Sequence, residues 1–160
     1  MIFLTVGTQF PFDRLVKAVD EAIEKGLVDD QVYAQIGSSE YKPRNFEYVE
    51  FLQKNQFDSY VRNATGIISH AGMGVIMMAL EYKKPLLVMP RCKKFGEVVN
   101  DHQAAVTEKF EELGCILVAT DKDGLHRGIQ KLKCFTPKPR LSNPAAVADR
   151  ICSFINNLQD

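Results

Sequence analysis

The stretch SHAGMG, residues 69–74, places a hydroxyl, an imidazole and two glycines within six residues. A histidine in such a stretch can act as a general base or donate a hydrogen bond to an anion, and glycines let backbone N–H groups approach a phosphate closely. The apolar run that follows, Val75 to Leu80, predicts a buried helix. A structural histidine bonded to backbone is an equally good interpretation of His70. The stretch therefore predicts a packed helix entrance, a ligand site, or both.

Two further short polar stretches, Gly7-Thr8-Gln9 and Gly37-Ser38-Ser39, also follow β-rich runs directly. The carboxyl ends of parallel strands meet at one edge of a sheet, where ligands of open α/β folds bind. Helix N-termini at that edge carry partial positive charge without any lysine. The three stretches together predict a site for a nucleotide diphosphate.

Two common phosphate-binding signatures are missing. No GxxxxGK[ST] occurs, which argues against a P-loop NTPase, and no GxGxxG follows the first strand. A dinucleotide-linked oxidoreductase is therefore the least favoured reading. The single D-x-D, Asp121-Lys122-Asp123, precedes a helical pattern, where capping explains it better than a metal. Four scattered cysteines have no zinc spacing, so we expect no metal site.

Composition bounds the class of protein. The chain has 160 residues, 46% of them hydrophobic and 25% charged, with 20 basic and 20 acidic residues. A balanced charge gives no global attraction for nucleic acid. The N-terminal stretch lacks a basic region and meets Asp13 early, unlike a signal peptide. The longest apolar run falls far short of the roughly 20 residues that span a bilayer. We expect a soluble, cytoplasmic protein.

Periodicity predicts strands alternating with helices. Strands are expected over 2–6, 31–36, 46–51, 66–69, 86–89 and 115–118, and helices over 12–24, 55–63, 73–82, 97–113, 124–132 and 144–158. This alternation predicts an α/β fold, a Rossmann-like and mainly parallel sheet with helices on both faces. We divide the chain into a domain over 1–135 and a Pro-rich connection with a C-terminal helix over 136–160.

A small basic cluster follows Pro90. Arg91, Lys93 and Lys94 lie in what the pattern marks as a loop. The default interpretation is a solvated loop, and contact with a phosphate or with a membrane-bound partner is the alternative.

Several of these stretches together resemble a known family. VGTQFPFDRL, IGSSEY, ISHAGMGVIMMALEYKKPLLVMPR and NDHQAAVTEKFEELG occur in the order and spacing of the C-terminal, donor-binding domain of glycosyltransferase family 28, over nearly the whole chain. The resemblance is strongest to small catalytic subunits of two-component UDP-sugar transferases, of dolichol-linked GlcNAc transfer and of bacterial capsule or exopolysaccharide synthesis. It implies a single GT-B half-fold that binds a UDP-sugar as donor substrate, with no cofactor.

The resemblance also implies roles for residues. Phe51 and Leu52 would lie beside the uracil ring. His70 is the catalytic candidate, and His102 and Gln103 match positions that contact sugar hydroxyls, although His102 also fits a packed histidine on its helix's apolar stripe. The diphosphate cradle would comprise Gly7, Thr8, Ser69, Ala71, Gly72, Met73 and Gly74, and Gln9 and Ser38 complete the substrate-binding set.

One position departs from the family pattern. Relatives carry an acidic residue that can hold the ribose hydroxyls on the helix after the glycine loop, and the matching position here is Met78. Glu81 lies one helical turn deeper. No carboxylate is therefore evident in the sequence at the position that would bind the ribose hydroxyls.

The implied activity is inverting, metal-independent transfer of a sugar from a UDP-sugar to a lipid-linked acceptor. The resemblance further implies a membrane-anchored, acceptor-binding glycosyltransferase subunit as partner, which recruits this subunit peripherally to the membrane. The alternative is a non-catalytic nucleotide-sugar-binding or regulatory module, which Met78 favours.

Overall fold

The computed structural model describes residues 1–98 and 102–139. In the helix that begins at residue 102, side chains are described at 103 and from 107 onward. The expected C-terminal helix over 144–158 lies outside the described residues. No helix in the described ranges is long and apolar enough to cross a membrane.

Six parallel strands form one sheet. Strands buried on both faces are continuous apolar runs, and every residue of the first and fifth strands is buried. The strands are β1 (Ile2–Thr5), β2 (Val32–Gln35), β3 (Glu47–Val49), β4 (Gly66–His70), β5 (Leu86–Met89) and β6 (Leu117–Val118). Their order across the sheet is β3-β2-β1-β4-β5-β6.

Helices cover both faces of the sheet. They are α1 (Asp13–Glu24), α2 (Lys54–Asn63), α3 (Met73–Glu81), α4 (His102–Glu112) and α5 (Lys122–Leu132). Because neighbouring residues of a strand point to opposite faces, Leu4 packs with α1 and α5 while Phe3 packs with α2 and α3. This arrangement confirms the predicted Rossmann-like α/β fold.

The strand order reverses beside β1. The chain winds outward from β1 through β2 to β3, then returns to place β4 on the other side of β1. Leu4 pairs with Ala34 of β2 and with Ile68 of β4. A crevice opens at such a switch point, outside the carboxyl ends of the strands. The loops after β1 and β4 border it.

The predicted helix over 97–113 starts too early. In the structure α4 begins at His102, and Glu97 belongs to the preceding loop. The Glu97 carboxylate pairs with Arg14, with 2.8 Å between Oε1 and Nε, and its other oxygen accepts the Cys92 N–H at 2.9 Å. These bonds hold Glu97 in the loop, out of the helix.

The D-x-D stretch is a helix cap. The Asp121 carboxylate accepts the Gly124 N–H at the start of α5, at 2.6 Å. This confirms that the stretch caps a helix, through Asp121. In the described part of the chain, no group of three or more His, Cys, Asp or Glu side chains is placed to hold a metal ion.

Candidate functional site

A pocket of about 400 Å³ opens at the switch point, outside the carboxyl ends of β1, β4 and β5. Seven of the predicted site residues line it: Gly7, Thr8, Gln9, His70, Gly72, Gly74 and Gln103. Three lining residues were not predicted, Phe10, Val75 and Val98, and a fourth, Arg91, was given contact with a phosphate only as the alternative to a solvated loop. All fourteen site residues, His70 included, remain predictions, although the structure brings seven of them to one cavity.

Glycine shapes the loop between β1 and α1. Gly7 has a φ of +77°, a left-handed conformation that side chains rarely adopt. The loop after β2 packs directly on it, because a Cβ at Gly37 would lie 2.9 Å from the Gly7 carbonyl oxygen. Thr8 and Gln9 follow with exposed side chains. The loop therefore offers backbone and two polar side chains to the pocket.

The ring of His70 lies between two glycines. A Cβ at Gly7 would come within 2.8 Å of the imidazole Cε1, and a Cβ at Gly72 would collide with Nε2. Real Cβ atoms do not approach so closely, so both positions must lack one while the ring stays where it is. These two glycines thus make room for a histidine as well as for any ligand.

The hydrogen bonds around His70 assign its protons. The Ser69 hydroxyl donates its only proton to the Thr5 carbonyl, at 2.8 Å. Its oxygen also lies 3.2 Å from Nδ1 of His70, so Nδ1 must carry the proton in that contact. The Nε2 atom is left with a lone pair.

The surroundings of His70 keep it neutral. The pKa of His70 is lowered to about 4. Burial is the largest cause and the positive charge of Arg91 the second, while a hydrogen bond with the Thr5 backbone acts in the opposite direction. At neutral pH the exposed edge of the ring is thus an acceptor. It can take a proton from a hydroxyl, as a general base does, but it cannot donate to a phosphate while neutral.

The start of α3 is open toward the pocket. Gly72 is the N-cap residue, and no described side chain caps it. The first N–H groups of a helix have no partner within the helix and carry the positive end of its dipole. A Cβ at Gly74 would meet nothing within 4 Å, so this turn borders open space.

For Arg91 the default interpretation, a solvated loop residue, is wrong, and its alternative contact with a phosphate stays a prediction. It is not solvated like the rest of its basic cluster: it is 3% exposed, while Lys93 and Lys94 are exposed. One terminal nitrogen donates to the carbonyls of Val6, at 2.8 Å, and Phe10, at 2.6 Å. The only available signal was its position immediately past Pro90, at the carboxyl edge of β5.

Gln103 joins the same network from the first turn of α4. Its side-chain oxygen accepts the Arg91 N–H at 3.2 Å. Because a backbone N–H can only donate, this contact fixes the amide orientation and leaves the NH₂ group for a ligand. The side chain of His102 lies outside the described residues.

Phe51 and Leu52 lie after β3, beyond the pocket lining. The Phe51 ring is 55% exposed. The Leu52 N–H donates to the buried side-chain oxygen of Gln35, at 3.0 Å, which fixes the chain at the carboxyl end of β2. Their predicted contact with uracil stays a prediction.

The remaining predicted residues differ in exposure. Ser38 and Met73 are exposed, whereas Ser69 and Ala71 are buried. None of the four lines the pocket. Since the Ser69 hydroxyl is engaged with Thr5 and His70, its described role is to orient the histidine.

Met78 and Glu81 leave the pocket without a carboxylate from α3. Met78 is half-buried and packs against the apolar cluster on that face of the sheet. Glu81 lines a different cavity of about 480 Å³, bordered by α3 and by Pro137 to Pro139. Glu81 therefore does not replace the acid expected at position 78.

Arg14 of α1 fixes the loop that carries Arg91. Its guanidinium binds both oxygens of Glu97, at 2.8 and 2.9 Å, and donates to the Pro90 carbonyl at 2.9 Å. The Phe95 ring lies 4.7 Å from its Cζ. Sequence reasoning missed this pair, because its members are 83 positions apart.

Known proteins resemble this chain in sequence and in fold. Among curated proteins it is similar to the UDP-N-acetylglucosamine transferase subunit ALG13 of Debaryomyces hansenii, with 31% identity over 110 residues, 69% of this chain and 49% of that protein. The chain thus spans about half the length of this curated relative.

Two solved structures share the fold. An NMR solution structure of ALG13 has a TM-score of 0.60 at 22% identity and covers 90% of this chain and 91% of that one. The glycosyltransferase of kitacinnamycin has a TM-score of 0.62 at 21% identity, over 99% of this chain and 39% of that one. The sequence also matches the glycosyltransferase family 28 C-terminal domain over residues 1–154. The chain therefore belongs to glycosyltransferase family 28, as its C-terminal domain.

Proposed function

We propose that this chain is the donor-binding, catalytic subunit of a two-component glycosyltransferase. It transfers a sugar from a UDP-sugar to a lipid-linked acceptor, with inversion and without a metal ion. The observation that carries the proposal is the switch-point pocket, where the uncapped start of α3 and the buried Arg91 face the same cavity. The name of the Debaryomyces relative makes UDP-N-acetylglucosamine the first donor to test.

The diphosphate is held mainly by backbone and by fixed charge. The N–H groups at the start of α3 donate to phosphate oxygens, and Gly72 and Gly74 allow close approach. When the bond from the sugar to the phosphate breaks, its electron pair leaves with UDP as negative charge. Positive groups fixed in advance stabilise that charge without reorganising.

Among the side chains that the structure describes, His70 is the one best suited to accept the acceptor's proton. The hydroxyl oxygen attacks the anomeric carbon from the side opposite UDP, so one bond forms as the other breaks and the configuration inverts. The hydroxyl proton passes to Nε2, which carries a lone pair because Nδ1 is protonated toward Ser69.

The proposal includes a partner subunit. The relative is named as a transferase subunit, which supports assembly with another chain. We assign acceptor binding to a membrane-anchored glycosyltransferase subunit, which recruits this chain to the membrane surface.

A non-catalytic nucleotide-sugar-binding module is the second candidate. The observation that favours it is Met78 packed in the apolar cluster, with Glu81 turned to another cavity. Such a site would hold the diphosphate but lack a carboxylate from α3 for the ribose.

Calorimetry with UDP and UDP-N-acetylglucosamine tests both candidates. We expect binding that EDTA does not weaken. Transfer is then assayed with the partner subunit present, with His70→Ala as the catalytic variant and Glu50→Gln as an exposed control. Absence of UDP binding contradicts both candidates, and binding without transfer in the partnered assay supports the module.

A further inference from the structure

Arg91 is a buried cation that has no anionic partner among the described residues. In the described ranges, none of the ion pairs includes Arg91. Glu97 is the carboxylate whose charge reaches it, but both Glu97 oxygens are bound by Arg14. Burying a charge is costly unless it is paired, so the pocket wall retains a positive charge that the described protein does not neutralise.

The same guanidinium holds the loop between β1 and α1 at both ends. Val6 precedes and Phe10 follows the loop residues Gly7 to Gln9, and the carbonyls of Val6 and Phe10 both accept from one terminal nitrogen of Arg91. The Cζ atom also lies 4.9 Å from the centre of the Phe12 ring. The position of the loop therefore depends on where this guanidinium lies.

One donor of Arg91 remains unsatisfied. Its Nε is buried and is the single buried side-chain polar atom of the described residues that has no hydrogen-bond partner. Arg91 lines the pocket with His70 and Gly72. An anion in this cavity compensates the unneutralised charge of the guanidinium that lines it.

We propose that Arg91 is a positioning residue for the donor's diphosphate, which it links to the β1–α1 loop. It holds the loop through two carbonyls and gives the pocket a charge that an anionic ligand neutralises. The two hydrogen bonds from Arg91 to the Val6 and Phe10 carbonyls are called the clamp below. A bound anion stabilises the clamp, and the clamp holds the loop beside the anion. This inference rests on the proposed function for the identity of the ligand, and on the described contacts for the clamp.

A purely structural role for Arg91 predicts different ligand affinities for its variants. If Arg91 only braced the loop, Arg91→Lys, which loses the two-carbonyl geometry, would weaken UDP binding as much as Arg91→Gln. If it acts on the diphosphate, its loss must weaken UDP and pyrophosphate binding while uridine binding changes little. Arg91→Gln removes the charge, and Arg91→Lys keeps the charge but loses the two-carbonyl geometry. Arg62→Gln removes an exposed arginine bonded to Tyr82, as the matched control.

Calorimetry with UDP, uridine and inorganic pyrophosphate measures the charge effect. We expect Arg91→Gln to lose about tenfold or more in affinity for UDP and pyrophosphate, and less than about threefold for uridine. Arg91→Lys should keep most of the preference for UDP over uridine, and Arg62→Gln should match the unaltered protein. Equal losses for UDP and uridine, no loss, or an equal loss of UDP affinity in Arg91→Lys and Arg91→Gln overturns the proposal.

Hydrogen exchange measures the clamp. We expect pyrophosphate to slow exchange of the backbone amides from Thr8 to Phe10 in the unaltered protein, with little slowing in Arg91→Lys. Equal slowing in both proteins overturns the clamp. If the protein binds pyrophosphate but does not bind UDP, the role of Arg91 toward a diphosphate is retained and the proposed function is contradicted. If Arg91→Gln does not fold, the Arg91→Lys measurements decide the proposal alone.

Discussion

His70 and Arg91 lie on the wall of one pocket, and the charge of Arg91 helps hold the pKa of His70 at about 4. Burial is the larger cause, and the guanidinium adds to it because two nearby positive charges repel. The same arginine that supplies positive charge for an anion thus keeps the histidine available as an acceptor.

The stability of the protein should therefore depend on pH through His70. Folding disfavours its protonation, so between its ordinary pKa of 6.5 and about 4 the unfolded state binds more protons than the folded one. Unfolding free energy is expected to fall as pH drops through this window, by up to about 3 kcal/mol. Chemical denaturation at several pH values measures it.

Carboxyl groups also change protonation in acidic solution, so a variant is needed to isolate the contribution of His70. His70→Gln removes the imidazole, and its denaturation curves should show a flatter pH dependence than those of the unaltered protein. Identical slopes for the two proteins would exclude His70 as the cause. Titration of the imidazole by NMR in Arg91→Gln should give a raised pKa.

Gly72→Ala should act through His70. The new Cβ collides with Nε2, so either the ring or the start of α3 must move, at a cost of about 1–3 kcal/mol. Thermal and denaturant unfolding measure the loss. Adding His70→Ala removes the obstacle, and the double variant should regain stability over Gly72→Ala alone. Additive losses in the double variant would contradict this contact.

Gly74→Ala should separate stability from binding. Its Cβ meets no atom within 4 Å, and alanine favours a helix over glycine by up to about 1 kcal/mol. The variant should unfold at the same or a higher denaturant concentration. Because Gly74 lines the pocket, the added methyl should nevertheless weaken UDP binding in calorimetry. Unchanged UDP affinity would show that the start of α3 does not contact the diphosphate.

Glu97→Gln should loosen the loop after β5. The variant loses the charge that binds Arg14 through two oxygens, an interaction worth about 1–3 kcal/mol. Limited trypsin digestion should cut faster after Lys93 and Lys94. The control Glu50→Gln breaks an exposed pair with Lys42, where about 0.5 kcal/mol or less is expected. Equal cleavage of both variants would argue against the Arg14 bond.

Much of the fold follows from local pattern. Buried strands are continuous apolar runs, and the helical spacing of residues such as Leu15 and Val19 places them inward. The three glycine-bearing loops were predictable for the same reason, because each directly follows a strand. Two of them, the loops after β1 and β4, line one pocket because the two strands are parallel neighbours, whereas the loop after β2 packs on Gly7 outside the lining.

The parts that sequence could not predict depend on distant partners. Arg91 looked solvated beside Lys93 and Lys94, but its carbonyl acceptors lie 85 and 81 positions away. Glu97 looked helical, but Arg14 is 83 positions away. Gly72 was read as space for a ligand, and the structure shows that the space is also needed by His70.

The clamp on the β1–α1 loop uses main-chain oxygens at Val6 and Phe10. The intervening side chains of Thr8 and Gln9 are exposed and take no part in it. Those two positions can accept other amino acids without loss of the loop's anchoring. They are therefore positions at which a library can vary the pocket, and test the proposed donor binding, on an unchanged scaffold.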